Sequence, residues 1–318
     1  MERDLDTSEF GEFHDLIHRL TGIHYPAEKL PLLSNRLRKR LRACSLSDYR
    51  TYLRHVTEQN HRAELQQFID SITTNETYFF RCRRHWDLFS AWAGRHPGRS
   101  LRIWSAACSS GCEAYTALIA LEQLFGRQFG GRSVEVLGTD LNLAVLDEAR
   151  AAIYRPYALA QSPPEIAQQY FREKADGRLE LDRRFLRHAT FRQHNLMDPL
   201  AEPPFDFVFL RNVMIYFDSA SKQRVLQNVH RVLRPGGVLL VGESESLLNV
   251  PHPFTYVQPS WFEKSAAEAP PSYPGAPPRD GGSQPQLRRG RPSPATPSGA
   301  APAAASARTP PRPPTRRP

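Results

Sequence analysis

The sequence predicts an α/β protein built on a doubly wound, mostly parallel sheet, with a small all-α domain in front of it and a small β-subdomain inserted into it. Three observations predict this. Apolar residues recur at the helical period through the first 72 residues. From about residue 99, short apolar strand patterns alternate with amphipathic helices. The stretch between Tyr154 and Arg187 interrupts that alternation. A chain of 318 residues has room for about two domains at roughly 100–200 residues each.

In the first segment, Phe10, Phe13, Leu16, Ile17 and Leu20 follow the helical period, with Thr7 or Ser8 as N-cap and Glu9 and Glu12 in the first turn. "TGIHYP" breaks the pattern. A second helix places Leu30, Leu33, Leu37 and Leu41 on one stripe, flanked by Arg36 and Arg40 on one side and Arg38 and Arg42 on the other. "LSDYRTYLRHV" and "RAELQQFIDSI" continue the helical signal to residue 72. Residues 73–98 read as a linker, but an unusual one. Spacers tend to be rich in Gly, Ser or Pro, whereas "TTNETYFFR" (residues 73–81) runs from polar side chains into three aromatics and an arginine that need a partner surface.

Residues 99–264 carry the alternation: strand "LRIWSAAC", helix "GCEAYTALIALEQLF", strand "VEVLGTDL", helix "NLAVLDEARAAIY" capped by Asn142, then "ATFRQHNL", "FDFVFLRNV", helix "SASKQRVLQNVHRVL", turn "RPGG", strand "VLLVGES" and a last strand near "FTYVQ". Strands and helices at this spacing imply parallel pairing through crossovers. The charged, alternating "GRLELDRRFLRH" predicts a hairpin, and the inserted β-subdomain is placed at about residues 174–190.

The last segment, 265–318, holds 15 of the 28 prolines and six of the nine net positive charges, so the part before it is only mildly basic. Its apolar content is nearly all alanine, which predicts disorder with polyproline stretches. A nucleic acid, an acidic membrane or a proline-reading domain could bind there; a solubilising extension is an equal reading. No run of about 18 apolar residues occurs and the N-terminus "MERDLDTSEF" is acidic and polar, which predicts a cytoplasmic protein. Four scattered cysteines read as reduced thiols rather than a disulfide framework. "CSSGC" lacks a second ligand pair at zinc spacing, so no metal site is expected.

In open α/β sheets ligands bind past the C-terminal ends of the strands. Past the predicted strands lie, in turn, the small-residue turn "AACSSGCEAY" with Glu113, then Asp140, then Asn195, then Asn212 and Tyr216. Asp140 alone would suit an N-cap, but Asn142 is the better cap. Glu113 alone would suit a helix dipole, and Tyr216 could be a core aromatic. Their joint placement, one polar residue after each strand, favours a binding site. An acid after the second strand can accept both ribose hydroxyls, while the turn lacks G-x-G-x-x-G and only Gly111 could serve in it, which disfavours a phosphate cradle. A ribose-binding acid without a phosphate loop points to S-adenosylmethionine. "RNVMIY" is not the Asn/Asp-Pro-Pro-aromatic run of nucleic-acid amino-methylases, which lowers that option.

"TTNETYFFR", "IWSAACSSGCEAY", "GTDL", "FRQHNL", "RNVMIYF" and "LRPGGVLLVGESESL" resemble, in order and spacing, the CheR family of chemotaxis receptor methyltransferases, and "TGIHY" with "LSNRLRKRLR" resembles that family's N-terminal helical domain. The likeness covers roughly residues 10–264. It implies a class I S-adenosylmethionine-dependent methyltransferase fold and transfer of a methyl group from S-adenosyl-L-methionine to glutamate side chains of chemoreceptors, giving γ-methyl esters and S-adenosyl-L-homocysteine. It further implies that Asn75, Thr77 and Arg81 fold over the cofactor, that Glu113 and Asp140 bind its amino-acid or ribose end, and that the pairs Asn195–Leu196 and Asn212–Val213 complete the pocket. The aromatics Tyr78 to Phe80 are then expected to dock the linker against both domains. Arg81 and Tyr216 are the expected catalytic groups, orienting the acceptor or the sulfonium. Two departures stand out: Cys112 and Ala114 replace the first acid and the proline of the family's first motif, and "GRLELDRRFLRHATF" occupies the place of a subdomain that grips a receptor tether in some members.

The expected partner is the cytoplasmic helical region of methyl-accepting chemoreceptors, acidic around the target glutamates. Arg36 and Arg40 are accordingly expected to bind and steer it; a solvated basic face is the competing reading. Nucleic acid is not expected as a partner, membranes only through receptors, the tail could hold an unidentified partner, and the protein is expected to be a monomer. The alternative is an S-adenosylmethionine-binding signalling adaptor of the same fold with little activity.

Overall fold

The structure is a computed structural model and describes residues 3–58, 61–96, 98–247 and 249–266. The expected tail and any partner of it therefore lie outside the described residues, apart from the first two positions of that segment.

Four helices make the N-terminal domain: α1 (Thr7–Thr21), α2 (Leu30–Ala43), α3 (Tyr49–Thr57) and α4 (Arg62–Ile72). The N-cap of α1 is Asp6 rather than Thr7 or Ser8. Its carboxylate accepts the Glu9 N–H while the Glu9 side chain returns to the Asp6 N–H, a reciprocal box that a shorter hydroxyl one residue later would not complete. The apolar stripe of α2 is buried as expected, with Leu33, Leu37 and Leu41 packed against Phe13, Tyr49, Tyr52 and Phe68 in a core of its own.

The expected linker contains a helix, α5 (Arg83–Arg95), which buries Trp86, Phe89 and Ala93 against the main sheet. Seven strands form that sheet in the order β6-β2-β1-β7-β8-β10-β9: β1 (Ser100–Ala106), β2 (Ser133–Asp140), β6 (Ala189–Gln193), β7 (Phe205–Leu210), β8 (Leu233–Val241), β9 (Thr255–Gln258) and β10 (Trp261–Glu263). The five strands from β6 to β8 in that order are parallel; β10 is antiparallel to β8, and β9 to β10. Strand β10 escaped the sequence reading.

Successive residues of each strand face opposite layers, as the period of two requires. Leu101 and Ile103 of β1, Phe207 and Phe209 of β7, and Val238 and Leu240 of β8 join one core with α5, α6 (Cys112–Phe125) and α7 (Leu143–Ala151). Trp104 and Ala106, Val208 and Leu210, and Leu239 and Val241 join the other core with α9 (Ser219–Val232). The "RPGG" turn is a bulge inside β8: Phe205 pairs with Leu233 but Phe207 with Val238, so Arg234–Gly237 loop out, with Gly236 at φ +74°.

The inserted β-subdomain exists but begins earlier than residue 174. It is a three-stranded antiparallel sheet in the order β3 (Ile153–Tyr154), β5 (Leu179–Leu181), β4 (Phe171–Glu173), with α8 (Pro164–Tyr170) leading into it. Arg183–His188, read from sequence as part of a hairpin, is a 3-10 turn that buries Phe185, and from Ala189 the chain is already in the main sheet.

The order of connections fixes the site. From β1 the chain moves outward to β2 and β6, then returns to the other side of β1 as β7 and β8. The reversal between β1 and β7 opens a crevice at their C-terminal ends.

Candidate active site

That crevice holds a cleft enclosing about 1180 Å³, the solvent at its mouth included. It is roomy enough for a cofactor with part of an acceptor beside it. Asn75, Thr77, Arg81, Glu113, Asp140, Asn195, Leu196, Asn212, Val213 and Tyr216 all line it, so the ten cleft residues read from sequence converge on one space. Arg36 and Arg40 do not line it.

Asp140 ends β2 and is 6% exposed. Its Oδ2 accepts the Ser109 N–H at 2.8 Å and its Oδ1 the Asn142 N–H at 3.0 Å. Burial pushes its pKa above the usual aspartate value while those N–H groups pull it down. Lone pairs remain for further donors, since a carboxylate has about four acceptor sites. The turn below it needs its glycine. Gly111 sits at φ +82°, and a Cβ there would stand 2.9 Å from Ala149 Cβ and 3.1 Å from the Phe191 ring.

Across the crevice, Arg211 follows β7 with its side chain 3% exposed. One guanidinium nitrogen donates to Glu113 Oε2 at 3.0 Å and the other to the Arg81 carbonyl at 2.6 Å, while Ser105 Oγ donates to Glu113 Oε1 at 2.6 Å. Burial raises the Glu113 pKa; Arg211 and Ser105 oppose it. Next along, Asn212 takes the left-handed conformation at φ +60°. The loop is pinned by Glu245, whose carboxylate accepts the N–H groups of Asn212, Met214 and Gly242 at 2.7, 2.6 and 2.7 Å.

The 73–81 segment forms a wall of the cleft and is stitched to both neighbours. Ser109 Oγ donates to the Asn75 carbonyl at 2.8 Å, and Asn142 Nδ2 to Asn75 Oδ1 at 3.0 Å. The three aromatics divide differently from the expectation that all dock the linker against both domains. Phe79 is fully buried against Tyr154 and Phe171 of the inserted subdomain, Phe80 packs edge-on to Trp86, and Tyr78 stays in the cleft wall under the Arg81 guanidinium. The helical domain is held instead by Arg36, which donates to Tyr25 Oη at 2.7 Å, to Thr74 Oγ1 at 2.8 Å and to the Ile72 carbonyl. A second tie is the Ile23–Phe217 bridge, with the His24 N–H donating to the Tyr216 carbonyl at 2.8 Å.

Arg40 is committed elsewhere. It grips Glu64 with two bonds of 3.0 and 2.6 Å, and Tyr52 donates to the same carboxylate. Its charge is thus compensated within the domain. Arg36 keeps its charge, because its partners are neutral.

Sequence reasoning missed Arg211, Glu245 and His194. His194 follows β6 and lines the cleft with a buried Nε2 that has no hydrogen-bond partner, and burial lowers its pKa. An orphaned ring nitrogen in the wall, an acid with spare acceptor capacity at the end of β2 and an uncompensated Arg81 fit a nucleoside joined to a zwitterionic amino acid. A strand-end polar residue was the available signal for His194; for Glu245 it was the acid just past β8.

Two family models match the chain: CheR methyltransferase, all-alpha domain, over residues 8–73, and CheR methyltransferase, SAM binding domain, over residues 75–262. The chain is 34% identical over 256 residues to the chemotaxis protein methyltransferase of Escherichia coli (strain K12), covering 79% of this chain and 88% of that one. It is 34% identical over 251 residues to chemotaxis protein methyltransferase 2 of Pseudomonas aeruginosa, covering 77% and 88%. With chemotaxis protein methyltransferase Cher2 of Pseudomonas putida the identity is 31% over 259 residues, covering 79% and 94%.

Proposed function

The chain belongs to the CheR methyltransferase family, and from that premise we propose that it transfers the methyl group of S-adenosyl-L-methionine to glutamate side chains of chemoreceptors, forming γ-methyl esters. The observation that carries this reading is the convergence of the linker and four strand ends on one cleft at the switch point.

When bound, S-adenosylmethionine supplies a methyl group on a sulfonium, electrophilic without further activation. Asp140 accepts the ribose hydroxyls, His194 and Leu196 wall the base, and Glu113 with Arg81 holds the amino-acid end. Asn75, Thr77, Asn195, Asn212 and Val213 close the pocket around these groups. The acceptor glutamate, with an ordinary pKa of about 4.3, is already an anion at neutral pH and needs no general base. The protein's work is then to hold a carboxylate oxygen in line with the methyl at about 3–3.5 Å and to exclude water. Arg81, whose guanidinium donates to the Glu76 carbonyl at 3.1 Å and stacks on Tyr78, keeps a positive charge in the wall. Tyr216, with Lys29 Nζ 5.7 Å from its ring centroid, stands beside the helical domain where an acceptor would enter. These two orient the acceptor. Exposed Lys29 and uncompensated Arg36 give that entrance a positive field for an acidic helical substrate. Arg40, neutralised by Glu64, has no steering role in this reading.

The test incubates the protein with methyl-labelled S-adenosylmethionine and chemoreceptor-bearing membranes, and counts label released as methanol by mild alkali. Alkali-labile label that disappears with Asp140→Ala is expected; cofactor binding without any such label would overturn the glutamate assignment. Tyr216→Phe and Arg81→Ala should each lower turnover in folded protein, and unchanged turnover in both rejects their orienting role.

A further inference from the structure

Just outside the cleft, Cys82 and His85 stand at the start of α5, and Glu243 lies two residues past β8. The Cys82 Sγ, an imidazole nitrogen of His85 and a Glu243 carboxylate oxygen all lie within 4.8 Å of one another, a grouping of metal-ligating side chains found once among the described residues. His85 is 1% exposed, and its buried Nδ1 has no hydrogen-bond partner. Packing alone accounts for part of this: the Cys82 thiol stands beside the Glu243 carboxylate. It does not account for a buried imidazole with an unpaired nitrogen.

We propose that Cys82, His85 and Glu243 form a binding site for a zinc-class divalent cation, with the fourth position open to solvent. One thiolate, one imidazole and one carboxylate are the ligand types such an ion takes, and three protein ligands leave the usual open position. Around an ion at about 2.0–2.3 Å, tetrahedral ligands stand roughly 3.3–3.8 Å apart, so atoms within 4.8 Å of one another need to close by no more than about 1–1.5 Å. Glu243 is exposed and Cys82 partly so, which leaves both free to rotate toward the fixed imidazole. Charge also balances. Thiolate and carboxylate offset the two positive charges of the ion, and Arg211, which faces the cluster, is already paired with Glu113 at 3.0 Å. On binding, the thiol proton passes to solvent and only coordinate bonds form.

The site has a consequence for the cleft. Cys82 directly follows Arg81, whose carbonyl holds Arg211. A bound ion ties the end of the linker to the end of β8 and fixes the Arg81 backbone. The sequence reading expected no metal because it weighed pairs of cysteines; Cys82-x-x-His85 gains its third ligand only from the far end of the sheet.

The proposal is tested on the full chain with Co²⁺ as a spectroscopic probe, followed by displacement with Zn²⁺. One equivalent of Co²⁺ should raise a thiolate-to-cobalt charge-transfer band that Zn²⁺ abolishes, Cys82→Ser eliminates, and Glu243→Gln weakens at least tenfold in affinity. Circular dichroism confirms that both variants are folded. No band at a tenfold excess of Co²⁺ overturns the proposal, as does a band that survives unchanged in Cys82→Ser, which would belong to another thiol. The readout needs no receptor and no methyl transfer, so it stands apart from the assigned activity.

Discussion

The two sides of the cleft hold their acids by different means. On the β2 side, Asp140 is fixed by main-chain N–H groups, one from Ser109 in the turn after β1 and one from Asn142 two residues on. On the β7 side, Glu113 is fixed by a buried guanidinium that comes from far along the chain, and Arg211 is in turn pinned to the linker. The first side loses two hydrogen bonds with its acid but strands no charge. The second is a frame in itself: remove one charge and the other is stranded.

The largest expected effect follows from that contrast. Arg211→Ala leaves the Glu113 carboxylate buried without its counterion and should cost about 3–5 kcal/mol in urea unfolding. Adding Glu113→Gln should recover part of the loss, a coupling that a double-mutant cycle measures. Equal losses in the single and double variants would break the comparison. Asp140→Ala leaves the buried Ser109 and Asn142 N–H groups without their acceptor but strands no charge, so it should cost less, about 1–3 kcal/mol in unfolding, and weaken S-adenosylmethionine binding by about 10–100-fold in calorimetry. A smaller effect is expected at the peg between the sides. Ser109→Ala removes one bond to the Asn75 carbonyl and should cost about 0.5–1.5 kcal/mol, with a matching rise in proteolysis of the 73–81 segment.

The same contrast explains what could be read from the sequence. Asp140 and Asn142 each accept one N–H from within a few positions, Asn142 and Val145 respectively, and with the Gly111 turn they lie just past predicted strands, so spacing located them. Alternation also located the parallel strands, because β7 and β8 are buried on both faces and read as apolar runs. Residues whose role needs the fold were not legible. Glu245 and Arg211 look like ordinary charges until the sheet order brings their partners to them, and Arg40 looks like a free cation until α4 supplies Glu64. Helix α5 is different. Trp86, Phe89 and Ala93 show the helical spacing in the sequence, and the polar segment before them drew the whole stretch into a linker.

The finest test sets the cleft acids against the acids that cap helices, since their pH linkages have opposite signs. Asp218, the N-cap of α9, is held below the usual aspartate value of 3.8, mainly by the Ser221 N–H. Its contribution is present above 3.8 and is lost as pH falls through the lowered value. Asp140 is pushed above 3.8 by burial. Its contribution is full below 3.8 and declines as pH rises through the raised value, because the folded state then has to bury a charge. Unfolding measured from pH 3 to 7 should therefore show the slope at its acid end flattened by Asp218→Asn, whereas Asp140→Asn should remove a decline that begins above 3.8. If Asp140→Asn left the profile unchanged, the turn N–H groups would be offsetting burial in full, and the β2 side would hold its acid without a burial cost.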